Sequence, residues 1–283
     1  MGVNFHIQDP SFNQRDSSAY QLSILAGMDS LVYLVHQDDG TALLLKSIPF
    51  NGNSSIEDYA ARLQDSLEKE ELLSVLFRKV RLALPEARAV LVPRRLFKSA
   101  ELHTYVDSLV PVTDSDGVYV DELPAEEVNV CYKVPLQVAD TLRKHFPTAR
   151  FHSLATTFIE GACRVCRQHS LETMACAGFT GHVVQLCVLR QGKLHFYNAF
   201  PFQASQDVLY FTMLLYERFQ LDTSNVPLYL AGAISAESDI YTKLYSYVGD
   251  LRFIEAPMGL TFGKKFANVP PHLFFNLFAL STL

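Results

Sequence analysis

The sequence repeats itself. Ala26-Gly27-Met28-Asp29-Ser30 can be laid over Ala177-Gly178-Phe179-Thr180-Gly181, Val32 over Val183, Gly40 over Gly192, and Ile48-Pro49-Phe50 over Phe200-Pro201-Phe202, with one residue inserted on the way. The identities are few, and the shared order of elements weighs more than the letters. In the first half, residues 20–26 read as a strand. Leu31-Val32-Tyr33-Leu34-Val35 follows as a strand apolar enough to be buried on both faces. Asp38-Asp39-Gly40 is a turn and 42–45 the third strand. Ser55 can cap a helix with apolar positions Ile56, Tyr59, Ala60, Leu63 and Leu67, and the charged run 68–71 reads as its solvated face. Residues 80–84 and 89–92 read as strands around Pro85-Glu86, with a prolonged helix through 72–84 as the alternative. Residues 99–109 and 135–145 have helical spacing, and 113–117 is an acidic, turn-rich loop. The second half follows the same plan. After its strands come a helix through Val208, Phe211, Leu214, Leu215 and Phe219, a strand at 227–230, a helix over 237–248 and a strand at 251–254. Two similar α/β lobes are expected, 1–150 and 151–283.

Composition narrows the function classes. At 283 residues the chain can bury its own core without disulfide or metal staples. Its 24 basic and 30 acidic residues give a net charge of −6, which argues against a broad nucleic-acid footprint. No stretch approaches the roughly 20 apolar residues of a membrane helix; the apolar cluster at 273–280 is too short. The first residues lack a basic start and an apolar h-region, and His6 breaks the myristoylation pattern after Gly2. Five cysteines, an odd number set in apolar segments, suit a reducing cytoplasm.

A β-β-β-α-β-α-β unit is the order of the ribonuclease H-like superfold, and its doubling resembles the actin-like ATPases. The resemblance implies two lobes, each a mixed sheet with flanking helices, facing each other across a cleft into which the first hairpin of each lobe reaches. Asp29 and Ser30 would occupy one tip, Thr180 and Gly181 the other. It also implies ATP and magnesium, held by an Asp followed by a Gly-Thr hairpin, a second such hairpin, and a Gly-Gly turn for the adenosine. Hairpin N–H groups cradle phosphate, and a carboxylate organises metal-bound water. Here each element is degraded. Gly27-Met28-Asp29-Ser30 keeps the carboxylate but not Gly-Thr, Phe179-Thr180-Gly181 has no carboxylate, and Ala231-Gly232-Ala233 has one glycine. Asp29, Ser30, Thr180, Gly181 and Gly232 are therefore expected as a vestigial nucleotide site, with no catalytic residue and no resident cofactor or metal. The expected function is non-catalytic binding of a protein partner, as a scaffold; an ATP-binding switch or weak ATPase is the alternative.

Other chemistries find less footing. A two-metal nuclease needs clustered carboxylates on strand one; neither 20–26 nor 174–177 has any, and Glu172 is alone. Cys163-Arg164-Val165-Cys166 continues the helical spacing of Leu154, Phe158, Ile159 and Ala162, so its thiols read as buried apolar groups. No second C-x-x-C exists for zinc, no G-x-S-x-G for a nucleophile, and no H-x-x-x-H among nine histidines. His182 and His195 read as strand residues, and Arg94-Arg95 and Lys264-Lys265 as solvated doublets. Phe266, Phe274, Phe275 and Phe278 make the end of the chain too apolar to hang free, so it is expected to dock on its own domain, with a partner surface as the alternative.

Phe5-His6-Ile7-Gln8-Asp9-Pro10-Ser11-Phe12 and Tyr20-Gln21-Leu22-Ser23-Ile24 resemble the opening of an uncharacterised Bacteroidota family, domain of unknown function 3822. Leu91-Val92-Pro93 with Leu96-Phe97 is similar to its middle. Leu194-His195-Phe196-Tyr197-Asn198-Ala199-Phe200 and Pro227-Leu228-Tyr229-Leu230-Ala231-Gly232 resemble its later half. The resemblance implies an actin-like fold in a bacterial cytoplasm, and no activity. The strand–Pro85–strand arrangement is also similar to the actin-like proteins of type IV pilus assembly and type II secretion, which act largely as docking scaffolds.

Overall fold

The computed structural model describes residues 5–27, 29–50, 55–84 and 88–283. Contacts divide the chain into two compact units. One is Met1–Thr157 with Gly259–Val269 and Leu280–Leu283; the other is Phe158–Met258 with Pro270–Ala279.

In the first unit, β1 (His6–Gln8), β2 (Gln21–Ala26), β3 (Ser30–His36) and β4 (Ala42–Pro49) precede α1 (Ile56–Lys69) and β5 (Lys79–Leu84). Every residue of β3 is buried, as its unbroken apolar run requires of an inner strand. Gly40 closes the β3–β4 turn at φ +85°, where a Cβ would collide with the Gly259 carbonyl. The Ser55 side chain accepts the Asp58 N–H at 3.2 Å and caps α1, which buries Tyr59, Ala60, Leu63 and Leu67. Ile56, in the first turn, stays in solvent.

One expectation for this stretch is corrected, and of the two readings of 80–84 the strand holds. Glu70 is not part of a solvated face: its carboxylate pairs with Lys46, accepts the Tyr33 hydroxyl at 3.0 Å, and is only 16% exposed. The helix does not run on to 84, because a 3-10 turn at Glu71–Ser74 ends it before β5. Pro85 and Glu86 lie outside the described residues.

After β5 come β6 (Ala89–Pro93), α2 (Leu102–Asp107), β7 (Asp116–Leu123), β8 (Val128–Pro135) and α3 (Leu136–His145), and then β9 (Arg150–Ser153). β6, β8 and β7 form a separate antiparallel sheet. Sequence reasoning placed a loop where β7 begins and left β8 and β9 unassigned. The main sheet has the order β1-β4-β3-β2-β5-β9.

The helix α4 (Leu154–Gln168) leads into the second unit, where β10 (Thr173–Thr180), β11 (Val183–Arg190) and β12 (Lys193–Pro201) are followed by α5 (Ser205–Arg218), β13 (Leu228–Gly232), α6 (Asp239–Tyr245) and β14 (Leu251–Phe253). The sheet order is β12-β11-β10-β13-β14, strand for strand that of β4-β3-β2-β5-β9, with the same two antiparallel and two parallel pairings. The duplicated α/β plan is thus present in the topology.

The letter-for-letter overlay is not. Ala26 pairs with Leu31 beside its turn, whereas Ala177 pairs with Leu186 and its strands run on to Thr180 and Val183. Gly27 follows the last paired residue of β2, while Gly178 is paired inside β10 under the ring of Phe158. His182 lies in the exposed hairpin turn rather than in a strand; His195 is in β12 and exposed. All five cysteines are buried and none is in a disulfide, Cys163 and Cys166 lying on α4. The end of the chain is buried, but not all on its own domain: Phe266 belongs to the first unit, while Phe274, Phe275 and Phe278 belong to the second, the last two inside α7 (Phe275–Ser281). Among the described residues no helix is long and apolar enough to cross a membrane.

Candidate functional site

The residues singled out from the sequence fall on strand ends, and each unit presents its own set. In the first, Asp29 follows β2 and is exposed, while Ser30 opens β3 and is buried. The Ser30 hydroxyl donates to Asp29 Oδ1 at 3.1 Å, and the Phe50 N–H holds the Asp29 carbonyl at 2.7 Å. Met28, between them and Gly27, lies outside the described residues. The tip therefore offers one exposed carboxylate whose first partner is its own neighbour.

In the second unit Thr180 ends β10 and Gly181 makes the turn at φ +54°, with open space where a Cβ would sit. The Phe202 N–H donates to the His182 carbonyl at 2.9 Å and closes the base of this hairpin. Gly232, at the end of β13, is also left-handed, at φ +82°, but its surroundings differ. A Cβ there would lie 2.1 Å from the Phe179 carbonyl oxygen. That oxygen accepts the Ala233 N–H at 3.1 Å, and the Ile234 N–H is turned back onto the Gly232 carbonyl at 2.8 Å. The glycine is required because two stretches of backbone touch, and the turn's N–H donors are spent on the protein itself. Among the described residues no three His, Cys, Asp or Glu side chains converge as metal ligands would.

A buried carboxylate that sequence reasoning missed lies in the first unit. Asp121 on β7 is 8% exposed. It accepts the Ser153 N–H at 2.7 Å, the Thr156 hydroxyl at 2.6 Å and the Tyr132 hydroxyl at 3.4 Å. Ser153 in turn accepts the Ala155 N–H at 2.9 Å, so the carboxylate and the hydroxyl both bond groups at the entrance to α4. Burial pushes the Asp121 acid up to about 6 against these hydrogen bonds. His152 Nδ1 lies 3.7 Å away, but burial, helped by Arg81, Lys79 and Arg150, drives the imidazole down to about 4. It is neutral near pH 7, and the two do not form an ion pair. The network ties the small sheet to β9 and α4.

The sequence as a whole settles the kinship. The family model described as "Protein of unknown function (DUF3822)" matches residues 9–251. The chain belongs to this family. No curated protein matches it. Solved structures share its fold. A Bacteroides thetaiotaomicron protein with an actin-like ATPase fold and unknown function superposes with a TM-score of 0.81 at 16% identity, over 96% of this chain and 99% of that one. The PilM–PilN type IV pilus biogenesis complex gives a TM-score of 0.63 at 12% identity, over 93% and 97%. The ethanolamine utilization protein EutJ from Carboxydothermus hydrogenoformans gives 0.52 at 10%, over 97% and 92%. This member of DUF3822 has the actin-like fold that its sequence resemblance implies.

Proposed function

We propose that this chain is a non-catalytic protein of the actin-like fold that acts by binding a protein partner in the cytoplasm. The observation that carries the reading is the turn at Gly232, whose N–H groups are bonded to the protein's own carbonyls and whose free space is filled by the Phe179 carbonyl. The pilus complex, a protein-binding member of the same fold, supports it. So do Tyr210 and Leu214, one turn apart on α5, with Tyr245 at the end of the neighbouring α6 and Tyr247 in the turn just after it. All four are more than one-third exposed, and large apolar side chains kept in water on adjacent helices suit a covered surface. Five cysteines outside any disulfide fit a reducing compartment.

The second reading, an ATP-binding switch, is favoured by one observation: the open left-handed turn at Gly181 beside Thr180. Thermal unfolding with Mg-ATP separates the two. Ligand at 100 times its dissociation constant adds about 2.7 kcal/mol of stability. The scaffold reading expects no shift. A shift of that order, abolished by Asp29→Ala, replaces it with the switch.

A further inference from the structure

The first unit's sheet carries a basic face that the hairpin tips do not use. β2, β5 and β9 are parallel neighbours, with Gln21 opposite Lys79, Ser23 opposite Arg81, and Arg81 opposite Arg150. Residues opposite one another share a face, so these five lie on one side of the sheet. His152, two residues beyond Arg150, lies there too, and His36 joins from β3 as the partner of Gln21. Where β2, β5 and β9 begin, a cavity of about 510 Å³ opens, lined by Gln21, Asp38, Arg78, Lys79, Thr148 and Arg150.

Charge in this region is not balanced. Asp38 pairs with Arg78 and accepts Gln21 Nε2 at 2.8 Å. Arg81 donates to the oxygen of that same amide at 2.7 Å. It is only 6% exposed, and the amide is neutral. Among the described residues none of Lys79, Arg81 and Arg150 has a carboxylate within ion-pair distance. After burial, Arg81 and Arg150 hold the Lys79 ammonium below its ordinary value, and Arg150 does the same to Arg81. Two further polar atoms on this face, Ser23 Oγ and His36 Nε2, are buried without a hydrogen-bond partner, in residues 0% and 3% exposed. Burying a cation without its anion is costly, and so is orphaning a polar atom beside it.

We propose that this cavity is an anion site that takes a phosphate group, gripped by Lys79 and Arg150, with the buried Arg81 adding its charge from behind the lining. Three lining cations, Arg78, Lys79 and Arg150, against the one carboxylate of Asp38 leave a surplus suited to a dianion rather than to a single carboxylate. Guanidinium forks engage pairs of phosphate oxygens, and Lys79 adds a point charge. The cavity is larger than free phosphate needs, so a phosphoryl group on an organic molecule also fits. The site lies where β2 starts, and Asp29 follows where β2 ends, so it goes beyond the function proposed above and does not depend on it.

Calorimetric titration of the full chain with inorganic phosphate, pyrophosphate and AMP, without magnesium and at ionic strength matched with chloride, tests it. Saturable binding is expected, weakened at least tenfold by Lys79→Ala with Arg150→Ala. It should be unchanged by Arg94→Ala with Arg95→Ala, and by Asp29→Ala, which separates it from the hairpin tip. Tighter binding of AMP than of phosphate identifies the ester as the source; the reverse order identifies the free anion. Before ligand is added, the thermal midpoint of the variant should hold or rise, because like-charge repulsion is relieved. If the double variant unfolds early, the exposed Arg150→Gln carries the same comparison. No saturable binding, equal weakening by the Arg94 and Arg95 pair, or a lower midpoint in Arg150→Gln with unchanged affinity overturns the proposal.

Discussion

Asp121, His36 and His152 pull the stability of the first unit in opposite directions as pH falls. Burial lowers both histidines to about 4. At His36, Arg81 and Lys79 add to this while the Gln37 carbonyl and Asp39 oppose it; at His152, Arg81, Lys79 and Arg150 add. Each histidine thus contributes stability that is complete above its unfolded value near 6.5 and lost as pH falls through 4. Asp121 has the opposite sign. Its folded pKa of about 6 lies above the unfolded value, so its contribution is complete below about 4 and lost as pH rises through 6. Between these limits the unfolded chain binds two protons at the histidines while the folded chain binds one at Asp121. Stability should fall on acidification by about 1.4 kcal/mol per pH unit, and Asp121→Asn, which removes the compensating proton, should roughly double that slope. Urea unfolding from pH 6.5 to 4.5 measures it, and an unchanged slope would show that Asp121 does not titrate in this window. None of this was legible in the sequence. Asp121 reads as one more acidic residue in a polar stretch, and only the docking of β7 against β9 and α4 makes it a buried acid. Arg78-Lys79-Val80-Arg81 was not singled out as a basic run, and Arg150 joins it only through the register of β5 and β9.

Local patterns were more readable at the level of elements, because they rest on periods and caps that neighbours in sequence supply. The buried run of β3, the Ser55 cap and apolar stripe of α1, and the thiols on α4 all follow from spacing alone. β7 and β8 did not, since four residues of β7 are only half-buried and its alternation is weak; the signal available was the β-branched and aromatic content of Val118-Tyr119-Val120. Two turn glycines show where spacing stops and packing starts. Both Gly181 and Gly232 have positive φ, so composition treats them alike. Gly181→Ala meets open space and should cost about 1 kcal/mol for the left-handed backbone alone. Gly232→Ala meets backbone at 2.1 Å and must push β13 away from β10, costing roughly 3 kcal/mol or more. Chemical denaturation of the two variants gives the comparison; equal losses would mean that the Gly232 turn is not in contact with β10.

Over the whole chain, the doubling was visible as an order of strands, yet the path is less simple than two consecutive halves. The chain leaves the second unit after Met258 and returns to it at Pro270–Ala279. That returning stretch completes the unit. His272 Nε2 is 3.1 Å from the Ile234 carbonyl, and its ring stacks on Phe253 at 4.2 Å. Phe275 and Ala279 press so closely on α4 that a Cβ at Gly161 would lie 2.7 and 2.8 Å from them. Phe275, Leu277 and Phe278 are each 1% exposed. Removing three such side chains strips about 1.5–3 kcal/mol apiece from a domain that has only about 5–15 kcal/mol in total. A fragment of residues 154–258 keeps every strand of the second sheet but loses this cover, whereas 154–283 keeps both and retains the start of α4. The longer fragment should melt cooperatively, and the shorter should show a broad, weak transition with its near-ultraviolet dichroism lost. A sharp transition from 154–258 would mean that the five-stranded sheet and its own helices suffice, and that the final turns of the chain are an addition to the unit rather than part of its core.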